Sequence, residues 1–269
     1  MSQTISVIGC GWLGLPCAIR FVAEGYHVKG TTTTATKIST LEKHGIEPYL
    51  LQLDTDEPST QLFNCDILFV NFPPGRHAEN IVTRYQDRIA KVIHIAEKTS
   101  LKKIIFASST GVYAGHTDVP VVTEYTPPQP RRNSAKAMYE AEVTLAAYTD
   151  QLTILRFAGL VGPDRKAAKF LAGKQNLPNP NNSVNLVHLD DCVEAVQRIV
   201  TKNIFGAVYN VCADLHPSRQ EYYTRLTTDA DLAPPTFSTQ QISPDKIVSN
   251  EKIKRELDFT FKYPDPFQF

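Results

Sequence analysis

Several things are missing from this chain, and each absence excludes something. None of its 269 residues belong to an apolar run of about 18 or more, so no membrane-spanning helix is expected. Neither sign of charge is in excess: 28 Lys and Arg stand against 28 Asp and Glu. Without a basic surplus nothing answers a phosphate backbone, and nucleic-acid binding is disfavoured. Cysteine is sparse. Cys10, Cys17, Cys65, Cys192 and Cys212 form an odd, scattered set with no Cys-x-x-Cys. Neither a disulfide framework nor a zinc site is suggested, so no metal is expected and the thiols read as free and buried in a reducing cytoplasm. Repeats and low-complexity tracts are absent. The first strand pattern starts within a few residues of the N-terminus, so a signal peptide is not expected either.

What is present begins with Ile5-Ser6-Val7-Ile8, a short apolar run that leads into Gly9-Cys10-Gly11-Trp12-Leu13-Gly14. Leu15, Ala18, Ile19, Val22 and Ala23 follow at helical spacing, and Gly25 closes the pattern. The spacing predicts strand, tight turn and amphipathic helix in the Gly-x-Gly-x-x-Gly arrangement of a dinucleotide site. Gly9 permits the turn, Gly11 lets backbone approach a pyrophosphate, and Gly14 lets helix pack on strand. The helix start at Trp12, Leu13 and Gly14 offers N–H groups and a positive dipole end to the phosphates.

The second strand, residues 26–31, carries information about the cofactor. NAD sites place an acidic residue at its end to accept the ribose hydroxyls. This chain has Thr31-Thr32-Thr33-Thr34-Ala35-Thr36-Lys37 instead. A carboxylate repels a 2′-phosphate, whereas hydroxyls from Thr32 and Thr33 and the ammonium of Lys37 bind it. NADP is therefore preferred over NAD. The alternative is that the Thr-rich run starts the next helix, with Lys37 solvated.

A short helix around Ile38 and Leu41 ends at Gly45, and strands are predicted over 49–53 and 67–71. The second of these delivers Asn71-Phe72-Pro73-Pro74-Gly75 to the carboxyl edge of the sheet, where Asn71, Phe72 and Pro73 read as a stiff wall beside the cofactor. A long helix follows with Ile81, Tyr85, Ile89, Val92, Ile93 and Ala96 on one face; His94 among them reads as a packed histidine. The strand over 103–107 delivers Ser108-Ser109-Thr110-Gly111-Val112-Tyr113. Hydroxyls there can hydrogen-bond a substrate carbonyl or alcohol, or cap the strand end. Ser108 is assigned to the cofactor, Ser109 to the reacting oxygen and Thr110 to the substrate. Later segments add a strand over 153–157 ending near Arg156, then Arg165 and Lys166. A capping box Asp191-x-x-Glu194 beside His188, taken as a structural histidine, precedes a strand over 208–212.

Residues 5–14, 108–113, the segment Leu155-Arg156-Phe157-Ala158-Gly159-Leu160-Val161-Gly162-Pro163 and Asn185-Leu186-Val187-His188-Leu189-Asp190-Asp191 occur in a telling order. Together they resemble the extended short-chain dehydrogenase/reductases, the nucleotide-sugar epimerases, dehydratases and reductases. Asn250 and the terminal Tyr263-Pro264-Asp265-Pro266 are similar to that family's tail. The resemblance spans essentially the whole chain. It implies a Rossmann core, a small substrate lobe and a catalytic set of Ser or Thr, Tyr, and a Lys four residues after the Tyr. Ser109 matches the serine. No tyrosine here has lysine four residues on. Anchored on Glu142, the helix places Ser134 at the family's tyrosine position and Met138 at its lysine position. Lys136 lies about 200° around the helix from Met138, and Tyr139 about 140° from Ser134, so neither fills the missing face. Tyr113 is the spare phenol on offer. Losing general acid–base catalysis costs roughly 10²–10⁴-fold and need not abolish hydride transfer.

The fold class expected is α/β: a Rossmann doubly wound parallel sheet of about seven strands with a small discontinuous C-terminal substrate lobe. Residues 1–157 and 189–213 form the core, and 158–188 and 214–269 the lobe, with Arg165 near the substrate. The activity expected is that of a cytoplasmic NADP-dependent oxidoreductase or epimerase acting on a sugar-like or nucleotide-sugar substrate. A non-catalytic dinucleotide-binding redox sensor or scaffold is the alternative. A third reading, kinship with nucleotide-sugar dehydrogenases through 7–16, is weakened by the short chain and the missing acid after the second strand. A small-molecule partner is expected, and the family resemblance makes a paired-helix homodimer possible.

Overall fold

The structure is a computed structural model that describes residues 3–75, 80–115 and 121–269.

The chain runs β1 (Thr4–Ile8), α1 (Gly14–Ala23), β2 (His27–Thr32), α2 (Ile38–Lys43), β3 (Glu47–Leu50), α3 (Thr60–Phe63), β4 (Ile67–Val70), α4 (Ile81–Ala96) and β5 (Lys103–Ser109). Then come β6 (Val121–Val122), α5 (Asn133–Tyr148), β7 (Leu152–Phe157), β8 (Gly159–Val161), α6 (Ala168–Leu171), β9 (Leu186–His188), α7 (Leu189–Lys202) and β10 (Val208–Val211). The tail holds α8 (Arg219–Asp229), β11 (Ile247–Val248) and α9 (Glu251–Leu257). Seven strands form one parallel sheet in the order β10-β7-β5-β4-β1-β2-β3. Strand β1 pairs in parallel with β2 on one side and β4 on the other, with Ile5 opposite Val28 and Ile67. The order reverses there, which makes the gap between the carboxyl ends of β1 and β4 the switch point of a doubly wound sheet.

Burial explains the strands. All four residues of β4, Ile67, Leu68, Phe69 and Val70, are buried, as a strand covered on both faces requires. The expected α1 stripe is rotated by one position. Gly14, Cys17, Ala18 and Phe21 are buried, whereas Leu15, Ile19 and Val22 are half-buried and Ala23 is exposed. Glycine at 14 lets that edge of the helix lie against the strand, which turns the next positions outward. On α4 the buried face is Ile81, Tyr85, Ile89, Val92, Ile95 and Ala96. His94 is exposed, not packed, because Ile95 takes the inward position that Ile93 was expected to hold.

The chain divides into two compact units. One comprises Met1–Val112, Pro130–Arg156 and Val193–Tyr209; the other Tyr113–Gln129, Phe157–Cys192 and Asn210–Phe269. This division differs from the expected one by giving 113–129, Phe157, 189–192 and 210–213 to the second unit. Hydrogen bonds within that unit supply the reason. Tyr113 bonds to Asn210, and β6 pairs with β11. The Asp191 carboxylate accepts the N–H groups of Lys262 (2.7 Å) and Tyr263 (3.1 Å). Asp191 therefore ties down the C-terminal tail, where a capping box was expected. Helix α7 already begins at Leu189, which places Asp191 inside its first turn. The second unit has its own core of Val161, Ala167, Val184, Leu186 and Tyr222, flanked by Phe267 and Phe269.

One residue of the first unit opposes its surroundings. Gln197 on α7 is 4% exposed, and both polar atoms of its side chain lack a partner. A buried unsatisfied amide costs about 1–3 kcal/mol. Gln197→Leu is therefore expected to raise the unfolding midpoint, by roughly 2–4 °C for each kcal/mol recovered. Thermal unfolding followed by circular dichroism checks this, and a lowered midpoint would contradict it.

Candidate dinucleotide-binding site

The glycine turn is built by hydrogen bonds from both neighbouring strands. The N–H of Gly9 donates to Thr31 Oγ1 and that of Cys10 to the Thr31 carbonyl, each at 2.9 Å. From β4, Asn71 donates its N–H to the Ile8 carbonyl (2.9 Å) and its Nδ2 to the Gly9 carbonyl (3.2 Å). Gly9 has φ +105°, a backbone region that favours glycine. A Cβ at residue 14 would lie 2.1 Å from the Gly9 carbonyl oxygen, so helix and strand meet without room for a side chain. A Cβ at residue 11 would meet nothing within 4 Å. The space above Gly11 is open.

The start of α1 is available to an anion. Its N-cap, Leu13, makes no side-chain cap bond, and no acidic residue occupies the first turn. The first N–H groups of a helix need partners from outside it, and a pyrophosphate is a fitting one. Trp12 is half-buried, and Leu13 and Gly14 are buried at this helix start.

In front of the turn lies a cavity of about 420 Å³, within the range of small-molecule sites. Gly9 and Gly11 line it, as do Thr32, Thr33, Lys37, Asn71, Phe72 and Pro73, all expected at the cofactor. Thr33 and Lys37 are exposed to it, whereas Thr32 is buried and its hydroxyl accepts the Thr34 N–H at 3.2 Å. The Phe72 ring packs edge-on against Tyr85, whose hydroxyl donates to the Phe72 carbonyl. Cys10 also lines the cavity, but its sulfur is turned inward to the Val7 carbonyl and the Gly30 backbone, and burial pushes the thiol pKa up to about 12.

Sequence reading missed one part of this wall. Leu51, Gln52, Leu53 and Asp54 line the cavity, and so does Arg88. Arg84 and Arg88 both grip Asp54, holding its carboxyl well below the usual carboxylate range. The signal was the four-residue spacing of the two arginines, which puts them side by side on one helix face. Their partner, some 30 residues earlier, carried no mark of the pairing.

Other expectations are corrected. Ser108 does not line the cavity. It is 5% exposed, and its hydroxyl donates to Glu142 Oε1. Glu142 also receives Arg156 through Nε (3.0 Å) and Nη2 (2.5 Å), forming a buried network that joins β5, α5 and β7. Alternation along β5 sends Ser108 and Ser109 to opposite faces, so only one of them can serve a site. Ser109 is the more accessible of the two, and its Oγ accepts the Gly111 N–H at 3.1 Å. Tyr113 is not a spare phenol at the sheet edge. It is 3% exposed in the second unit, and its hydroxyl donates to Asn210 Oδ1 at 2.9 Å. Thr110 is buried in the first unit. Arg165 belongs to the second unit, half-buried in a bridge with Gly162. On α5, Ser134 is half-buried and Met138 buried, while Lys136 is exposed and Tyr139 half-buried. His188 is buried, its Nδ1 accepting the Asp190 N–H, in keeping with a structural part. Among the described residues no cluster of His, Cys, Asp or Glu could hold a metal ion, and no helix is long and apolar enough to cross a membrane.

A doubly wound parallel sheet with a glycine turn at its switch point defines a Rossmann-type dinucleotide-binding protein. Comparison with known proteins narrows this. Residues 9–193 match the NAD(P)H-binding family. Protein YeeZ of Escherichia coli K12 is 34% identical over 98% of this chain and 97% of its own length. Among solved structures, UDP-glucuronic acid 4-epimerase from Bacillus cereus in complex with NAD superimposes with a TM-score of 0.80 at 17% identity, covering 97% of this chain and 94% of that one. UDP-glucose 4-epimerase from Thermotoga maritima gives 0.74 at 18%, with the same coverage. Identities this low speak to the fold. The chain belongs to the NAD(P)H-binding family, and its fold is that of the NAD-dependent epimerases.

The glycine geometry separates folding from binding. Gly11→Ala is expected to leave the melting temperature within about 2 °C, since the methyl meets nothing and surface changes lie within about 0.5 kcal/mol. It should nonetheless weaken dinucleotide binding at least about tenfold, or 1.4 kcal/mol, by filling the approach to the pyrophosphate. Gly14→Ala is expected to destabilise the fold itself. Calorimetric titration alongside thermal unfolding distinguishes the two; undiminished binding in Gly11→Ala would contradict the assignment.

Proposed function

We propose that the protein is an NADP-dependent oxidoreductase or epimerase acting on a sugar-like, nucleotide-linked substrate without the Tyr and Lys pair. The observation that carries this reading is the wall of the cavity. Thr33 and Lys37 stand exposed where an NAD site has an acid, beside a glycine turn with open space over Gly11. Gly9, Gly11 and the start of α1 hold the pyrophosphate, Thr33 and Lys37 the 2′-phosphate, and Asn71, Phe72 and Pro73 the side of the nucleotide. When bound, the nicotinamide supplies or accepts a hydride. Ser109 orients the reacting oxygen: its Oγ accepts from Gly111 and keeps its own proton to donate. With Tyr113 engaged by Asn210, water carries the proton. The epimerases of similar fold lend the substrate class, since the Bacillus cereus enzyme is named for UDP-glucuronic acid.

A second reading, a dinucleotide-dependent sensor without turnover, is favoured by one observation. Ser134 and Met138 offer neither an acidic phenol nor a cation on the helix face that the family uses.

NADPH is expected to raise the melting temperature more than NADH at equal concentration. Equal shifts would remove the NADP preference. Consumption of NADPH fluorescence across a panel of nucleotide sugars and small carbonyls separates the two readings: turnover that falls in Ser109→Ala with cofactor affinity kept supports the enzyme. Cofactor binding with no turnover on any panel member supports the sensor.

A further inference from the structure

Among the described residues lining the cavity there is one carboxylate, Asp54, and it is fully engaged. Oδ1 accepts the Nε–H of Arg84 at 2.9 Å and of Arg88 at 2.7 Å. Oδ2 accepts an Nη2–H from each at 2.5 Å. A carboxylate has about four acceptor sites, and here guanidinium donors take all four. The side chains of Asp54, Arg88 and Arg84 are 33%, 18% and 50% exposed, so solvent screens the Arg84 contact more than the Arg88 contact. Two guanidiniums against one carboxylate leave a net positive charge, and Lys37 adds another on the same wall.

We propose that the clasp of Arg84 and Arg88 on Asp54 is the specificity switch of the adenosine half of the site. A free ribose diol binds best to an unengaged carboxylate, because its hydroxyls need an acceptor. The clasp withholds that acceptor. It also turns the one acidic residue among the described residues of the wall into part of a cationic surface, which favours a doubly charged phosphate on the ribose. Arg84 and Arg88 act here through Asp54 and through the local field. They are specificity-determining residues, and no contact between them and a phosphate is required. The proposal rests on the NADP reading above and assigns it to residues outside the Thr-rich run.

The obvious alternative is a structural tie between the segment after β3 and helix α4. The two differ in which ligand responds. Adenosine 2′,5′-bisphosphate and adenosine 5′-monophosphate serve as probes, titrated calorimetrically into the full-length protein at fixed, moderate ionic strength, with melting temperature as the control for folding. The wild type is expected to favour the bisphosphate. Asp54→Asn, which keeps both guanidiniums and removes the negative charge, should tighten the bisphosphate severalfold and leave the monophosphate nearly unchanged. The double variant Arg84→Gln/Arg88→Gln, which frees the carboxylate, should weaken the bisphosphate at least tenfold and hold or tighten the monophosphate. Parallel changes for both probes in both variants, or an unchanged ratio, would overturn the proposal while leaving the NADP reading intact. A wild type that does not distinguish the probes would overturn that reading, and the switch with it.

Discussion

The carbonyl oxygen of Gly9 stands where a side chain at residue 14 would have to begin. The 2.1 Å from that oxygen to a Cβ on Gly14 leaves no alternative residue there without a shift of backbone. Everything at the carboxyl edge of the first unit follows from this approach. It presses the start of α1 onto the end of β1 and aims its first turn at the switch point. It also brings Asn71 close enough to bond the same carbonyl from β4. The turn is thus held by β2 through Thr31, by β4 through Asn71 and by α1 through contact, which pre-forms the cradle before any ligand arrives. Pre-formed sites avoid the entropy of ordering a loop on binding.

Charge placement divides the first unit into two kinds of polar cluster. Glu142, Arg156 and Ser108 satisfy one another in the interior, where an unpaired charge would be strongly destabilising. Asp54, Arg84 and Arg88 satisfy one another nearer the surface, with Asp54 and Arg88 lining the cavity. The same arginine–carboxylate chemistry serves as a brace in one place and as a polarised surface in the other. Depth alone makes the difference, since screening by water decides how far the surplus is felt.

Two tasks are asked of the site proposed above, gripping a nucleotide and moving protons. For the first, the chain keeps every glycine and a cationic wall. For the second, the family resemblance sets Ser134 and Met138 at the two key positions, and Tyr113 is a buried bracing group bonded to Asn210. Binding and chemistry are separable demands on a Rossmann fold, and fold alone does not decide the second.

Much of the fold was legible because it depends on local order: a strand, a glycine turn and a helix read in sequence, and a buried strand such as β4 shows as an unbroken apolar run. Thr33, Lys37, Asn71, Phe72 and Pro73 were legible for the same reason, since each follows a strand end that the pattern locates. Residues defined by long-range partners were not. Ser108 and Ser109 look equivalent in the chain, yet strand alternation gives one to Glu142 and leaves the other accessible. Tyr113 lies four residues from Ser109 but belongs to a different compact unit, because its partner Asn210 is nearly a hundred residues away. By itself the sequence determined the doubly wound architecture and the glycine turn at its switch point, both of them matters of spacing along one chain. Tertiary structure alone decided that Asp54 is engaged, that Ser108 is a brace and that Tyr113 is buried, because hydrogen bonds between distant segments form only once packing has brought them together.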